Sequence, residues 1–179
     1  MKFYLFEKPE WFTGDMDILD FHKSINMQDF MNDRMHRIPA MLFMQIKHRE
    51  YVEYPGILLE PIPLFEEKLW QSILQFMEKP IHTHFLLMDE KTRHTRNYYC
   101  PDFRRIKGSV KITGEPGERQ TAQLVLEEER VKDIPAFYLQ DGRRLWMMFR
   151  LDLVESFMRQ GLCDIKLIPI EGEEMKWNT

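Results

Sequence analysis

The stretch LEPIPLFEEKLWQSILQF, Leu59 to Phe76, carries the strongest helical signal in the chain, yet none of its residues forms a recognisable reactive set. Pro61 and Pro63 interrupt any strand before it, because proline lacks the backbone donor a ladder needs. Pro63 suits a first helical turn, where that donor would be unused. A helix is therefore expected to start there. Phe65, Leu69, Ile73 and Met77 recur every four residues, and Leu64, Trp70, Leu74 and Phe76 widen the stripe to that of a core-facing helix. Glu66 and Glu67 fall in the first turn and Lys79 beyond the last, each where the helix dipole favours its charge, and Pro80 ends the segment.

Outward from this helix the pattern becomes one of strands. Met1 to Phe6 reads as an initial strand, and a helix or helical turn is expected within Gly14 to Arg37. The apolar run IPAMLFMQI, Ile38 to Ile46, reads as a buried strand confined by Pro39 to the residues after it. Gly56 to Leu59 is a further short strand. A series follows at His84 to Met88, Tyr98 to Cys100, Ile106 to Ile112, Ala122 to Leu126, Ala136 to Leu139 and Leu145 to Phe149. TGEPGERQ around Gly114 and Gly117 and LQDGRR with Asp141-Gly142 are hairpin-like, so this half reads as an antiparallel meander. A last helix spans Asp152 to Gln160. Asp152 is expected to cap it, Leu153, Val154, Phe157 and Met158 to face the core, and Gly161 to end it in the left-handed conformation. Strand Asp164 to Pro169 closes the pattern.

The resulting fold class is α+β: a single domain over residues 1–179, with a mainly antiparallel sheet and two or three covering helices. GILLEPIPLFEEKLWQSILQF…HTHFLLM and LWMMFRLDLVESFMRQGLCDIKLIPI share an order of strand, abrupt turn, helix and strand. That echo fits either a duplicated unit or the commonest way of covering a sheet.

Composition narrows the partners. The 179 residues are 44% hydrophobic, enough for a substantial core, and 25 Lys and Arg stand against 29 Asp and Glu for a net charge of -4. Such a balance argues against nucleic acid or an anionic membrane as an obligatory partner. The apolar run in MKFYLFEKPEW is too short for a signal-peptide core or a membrane span, so a cytoplasmic location is expected. Cys100 and Cys163 belong to no CxxC pair and read as reduced thiols, with neither a disulfide framework nor a zinc ribbon.

Three segments could carry chemistry. HTHFLLMDEKTRHTRNYYC supplies His82, His84, His94 and Cys100; His82 and His84 share a strand face, as neighbouring ligands would, but no second close-spaced pair completes a zinc site. KTRHTRNYYCPDFRRIKG, residues 91–108, interleaves Lys91, Arg93, Arg96, Arg104, Arg105 and Lys107 with Tyr98, Tyr99 and Phe103, the composition of a stacking groove for nucleic acid, diluted by Asp89, Glu90 and Asp102. Neither a GxSxG elbow nor a phosphate-cradling glycine loop occurs, and GEPGE sets carboxylates beside its glycines. No metal, cofactor or catalytic activity is expected. The 13 methionines read chiefly as core filling, with an adaptable binding surface as the alternative.

ILLEPIPLFEEKLWQSIL, NYYCPDF and FRLDLVESFMRQGLCDIKLIPIEG together resemble bacterial polymorphic-toxin immunity proteins, the immunity families numbered eleven and forty-three. The resemblance covers about the last two-thirds of the chain; Glu66 stands where those families carry a serine. It implies a cytoplasmic, non-catalytic protein that binds and neutralises a cognate toxin. The partner-binding residues expected on that basis are Arg93, Arg96, Tyr98, Tyr99, Phe103, Arg104 and Arg105, because tyrosine and arginine are frequent interface anchors. The alternatives are a nucleic-acid-binding domain using residues 91–107 and a metal-dependent enzyme around His82, His84, His94 and Cys100.

Overall fold

Consecutive strands share a sheet except at two points, after the first strand and after the sixth. The computed structural model describes residues 2–9, 16–50, 54–114, 120–126, 131, 133–142, 144–170 and 176–177. The fold is α+β, with two mixed sheets whose pairings are mostly antiparallel. The chain divides into two compact units, one formed by Met1–Glu7 with Phe103–Thr179 and the other by Lys8–Asp102.

The second unit contains α1 (Phe21–Ser24), α2 (Met27–Met31), a short 3-10 turn at Met35–Arg37, β2 (Met41–Ile46), β3 (Ile57–Leu58), β4 (Leu64–Glu66), α3 (Glu67–Phe76), β5 (His82–Asp89) and β6 (Thr95–Pro101). Its sheet runs β2-β5-β6-β4-β3, with β2 parallel to β5 and the other pairs antiparallel. The first unit contains β1 (Phe3–Glu7), β7 (Arg105–Thr113), β8 (Thr121–Leu126), β9 (Ala136–Asp141), β10 (Arg144–Arg150), α4 (Leu151–Arg159), β11 (Lys166–Pro169) and β12 (Lys176–Trp177), in the sheet order β11-β1-β10-β9-β7-β8-β12.

The sequence echo has a structural counterpart. Hairpin β3-β4 leads straight into α3 and then to β5, with β6 antiparallel between β4 and β5; hairpin β9-β10 leads straight into α4 and then to β11, with β1 antiparallel between β10 and β11. Even the strand-to-helix corners agree: Glu66 has φ -60 and ψ 152, and Arg150 has φ -72 and ψ 148. In both places an extended residue caps a helix that begins at the next position. The difference lies in the middle strand, which follows its unit in one case and comes from the chain start in the other.

Several expectations need correction. The helix expected from Pro63 starts only at Glu67, because Leu64–Glu66 pairs with β3 and β6 as a strand. Two buried apolar residues in succession, Leu64 and Phe65, fit either period, and the fixed φ of Pro63 suits an extended chain as well as a helix. Glu66 is then the cap, its carboxylate accepting from Lys68 N–H at 3.1 Å, the role a serine would have. Asp152 is not the N-cap residue of α4, a position Arg150 holds, but its carboxylate does accept from the first-turn Leu153 N–H at 2.9 Å while taking the Arg150 guanidinium at 2.8 and 2.7 Å. That pairing holds the Asp152 carboxyl below its ordinary range.

The antiparallel meander is also interrupted: β7 pairs β9 in parallel and β8 lies outside it. Leu74 and Met158, expected in the core, are exposed. The run Ile38 to Ile46, expected to be a buried strand, forms the sheet edge, with Met41 and Phe43 exposed on alternate positions. The turn expected at Thr113 to Gln120 lies outside the described residues at 115–119.

Burial explains why each sheet holds. In the first unit Phe3, Leu5, Ile106, Leu126, Phe137, Leu139, Met148 and Ile168 form one apolar cluster. Phe6, Phe149 and Phe157 meet through ring contacts of 4.2 to 6.1 Å, locking α4 onto β1 and β10. Turn chemistry matches the sequence where it is local: Gly142 has φ 59 in the β9-β10 hairpin and Gly161 has φ 90 after α4.

Candidate interaction face

Alternation along β5 and β6 decides where the expected site residues go. The register sets His84 opposite Tyr99 and Phe85 opposite Tyr98, so the two adjacent tyrosines leave opposite faces of the sheet. Tyr98 is wholly buried and its hydroxyl donates to the Pro55 carbonyl at 2.8 Å. It offers no surface to a partner. Phe103 is likewise buried, with its ring 5.3 Å from Tyr138 and 5.9 Å from Phe149. Arg104 and Arg105 fall in the other compact unit, Arg105 lying over the Tyr138 ring. Arg96 is exposed, on the face opposite Tyr99, with its guanidinium 5.0 Å above the Tyr54 ring. Burial of Tyr98 and Phe103, and the opposite faces taken by Arg96 and Tyr99, keep the expected set from acting as one surface.

Arg93 sits in the β5-β6 connection with φ 63, and this turn is held by Asp89. The buried Asp89 carboxylate accepts from Thr92 N–H at 2.7 Å and Lys91 N–H at 2.9 Å, and His48 Nδ1 lies 3.2 and 3.0 Å from its two oxygens. The Thr92 amide first, then His48 and the Lys91 amide, hold its carboxyl well below the ordinary carboxylate range, against the opposing effect of burial. A carboxyl with a depressed folded-state value contributes stability above its unfolded value of about 3.9 and loses that contribution as pH falls below it. Asp89→Asn should therefore lower the melting temperature at pH 7 by about 3–8 °C. The gap to the parent should narrow steadily in melts taken below pH 4.

The proposed metal ligands are not brought together. Cys100 lies opposite Thr83, on the sheet face away from His82 and His84, and is buried. His82 Nδ1 is 3.0 Å from the Pro80 carbonyl, and His84 Nε2 is 2.9 Å from Asn97 Oδ1. Among the described residues no group of three His, Cys, Asp or Glu side chains is placed to hold an ion. An open cleft of about 780 Å³ is lined by Asp17, Asp20, His22, Lys23 and Glu60, but Arg49 pairs with Asp17 at 3.0 Å and Lys23 with Asp20 at 2.7 Å. Those carboxylates are already matched by cations of the same surface.

What the residues do build is an aromatic and apolar face. Tyr99 is stacked between two rings, His84 at 4.9 Å and 10° and Trp70 at 5.3 Å and 12°, and the His82 ring closes on Trp70 at 4.7 Å. Glu67 of α3 accepts from the Asn97 amide at 3.1 Å, fixing the group that in turn holds His84. Burial, and then the Glu67 charge, raise the Tyr99 hydroxyl above its ordinary value, so it remains a neutral donor. Beyond the stack, Met41 is opposite His84 and Phe43 opposite Leu86, and these two apolar side chains are 57% and 55% exposed. Sequence reasoning missed this face because an apolar run at a sheet edge reads as buried.

No family model matches the chain, and no curated protein does. No helix of the described residues is long and apolar enough to cross a membrane.

Proposed function

We propose that the chain is an immunity protein: a non-catalytic, cytoplasmic binding protein that neutralises a cognate bacterial toxin by occupying its surface. The observation that carries this reading is the face of Met41, Phe43, His84 and Tyr99. Rings fixed by stacking and by the Glu67-Asn97-His84 chain lose little freedom on binding, and exposed Met and Phe beside them supply apolar area. Histidine, tyrosine and methionine in such a setting suit a protein partner better than a small reactive substrate. The likeness of ILLEPIPLFEEKLWQSIL, NYYCPDF and FRLDLVESFMRQGLCDIKLIPIEG to immunity families supports the same conclusion, and Glu66 capping α3 supports the serine-to-glutamate equivalence at the helix start.

The tagged chain should retain the product of a neighbouring toxin-like gene on an affinity column and protect cells expressing it. His84→Glu places a charge in the middle of the face and should weaken that retention by about tenfold or more. Failure of every neighbouring gene product to bind overturns the reading, as does full retention by the variant.

A further inference from the structure

Hydrogen bonds running across the aromatic face decide which nitrogen of His84 carries the proton. The Glu67 carboxylate can only accept, so the Asn97 amide turns its NH2 group toward it and its Oδ1 toward His84. Oδ1 also only accepts, at 2.9 Å from Nε2, so the neutral imidazole holds its proton on Nε2 and keeps a lone pair on Nδ1. Nδ1 has no partner among the described residues and is not one of the buried unsatisfied atoms, so that lone pair meets solvent. His82 is fixed the same way: its Nδ1–H donates to the Pro80 carbonyl and the lone pair stays on Nε2. The scaffold does not require this relay. When the two units are matched at Glu66 and Arg150, Leu69 and Ser72 correspond to Leu153 and Ser156, and Tyr99 to Tyr4, each tyrosine paired with the phenylalanine before the helix. The positions of Glu67, Asn97 and His84 then hold Leu151, Lys2 and Pro169. The same order of strands and helix forms without the relay, which leaves the relay's role at the surface.

We propose that the face receives a tryptophan side chain of the bound protein, its indole N–H donating to His84 Nδ1 and its ring lying on Met41 and Phe43. This rests on the proposed function and adds the chemistry of the anchor. Charge complementarity sets the first requirement: the imidazole lone pairs and the Glu67 carboxylate are all negative ends, so the partner must bring a donor hydrogen. Apolar surroundings set the second. Met41 and Phe43, 57% and 55% exposed beside His84, would strip water from a cation, and the neutral imidazole has no formal charge to repay that loss. Indole joins a large apolar ring to one uncharged N–H, and tryptophan is a frequent interface anchor for that reason. Glu67 acts at a distance, as a positioning residue that sets the His84 proton through Asn97.

Two-bond proton–nitrogen correlation spectra of the isotope-labelled chain at about pH 8.5, above the ordinary imidazole range, read the proton's position directly. His84, assigned by the loss of its signals in His84→Phe, should show a protonated Nε2 and a bare Nδ1. Glu67→Lys should reverse the two, because an ammonium draws Asn97 Oδ1 to itself and sets the NH2 group against Nε2, while amide signals elsewhere stay those of the parent. N-acetyltryptophan amide, added to about 20 mM because one side chain binds weakly, should move the Nδ1 and Met41 methyl signals. The same compound methylated at the indole nitrogen should bind about fivefold or more weakly, and Glu67→Lys should bring the two probes level. A parent His84 protonated on Nδ1 overturns the proposal. So do equal binding of the two probes to the parent and a larger response to N-acetylarginine amide. No toxin enters these measurements: discrimination between the probes without toxin retention sinks the proposed function and keeps the indole site, and retention without discrimination does the reverse.

Discussion

Phe149→Ala should destabilise the unit built from Met1–Glu7 and Phe103–Thr179 by about 4 kcal/mol. Phe149 is wholly buried, and its ring meets Phe6 at 4.2 Å, Phe157 at 5.5 Å and Phe103 at 5.9 Å. Truncation removes the transfer energy of a large side chain and leaves a cavity whose lining comes from β1, α4 and the start of the Phe103 segment, three places that cannot all move inward together. The loss is to be read in urea unfolding followed by amide exchange on β10 and β1. Because the chain has two compact units, Lys8–Asp102 should keep its own protection while the seven-stranded sheet opens earlier. Equal loss of protection in both sheets would contradict this assignment.

Gly108→Ala should be as severe, by the opposite route. A methyl group built on Gly108 would lie 2.4 Å from the Val125 carbonyl oxygen and 2.9 Å from Leu139 Cδ1. The first of these is backbone of β8, paired directly beside β7, and cannot rotate away as a side chain could. The two strands must separate or β7 must twist out of line, so a destabilisation of about 3 kcal/mol or more is expected. Gly142→Ala is the control. At φ 59 it carries the ordinary left-handed penalty of about 1 kcal/mol, with no atom within 4 Å to meet the new methyl. If the two variants unfold at the same urea concentration, close approach at Gly108 is not what requires glycine there.

Strand positions were legible because they depend on local alternation bounded by turn residues. His82–Asp89, Thr95–Pro101, Arg144–Arg150 and the Asp141-Gly142 turn all fall where the sequence places them, within three residues at the ends. Partner choice was not legible. Nothing near Phe3–Glu7 indicates that it inserts between β10 and β11, nor near Arg105 that its strand lies parallel to β9, because both pairings are set by contacts far along the chain. The site shows the same division. Adjacency made Tyr98 and Tyr99 look like one platform, although alternation alone separates them onto opposite faces. The stack of Trp70, Tyr99 and His84 draws on α3, β6 and β5, and no short window of sequence contains it.

The five-stranded unit is an insertion between β1 and the rest of the seven-stranded sheet. Lys8–Asp102 is synthesised ahead of Phe103–Thr179, so its sheet can form while the later segment is still being made. Residues 3–7 precede that unit and must wait: their neighbours, residues 147–150 and 166–169, are made far later in the chain. Throughout that interval a short apolar segment travels without its mates, which makes the opening residues the place where a holdase would have most to do and where slowed elongation would do most harm.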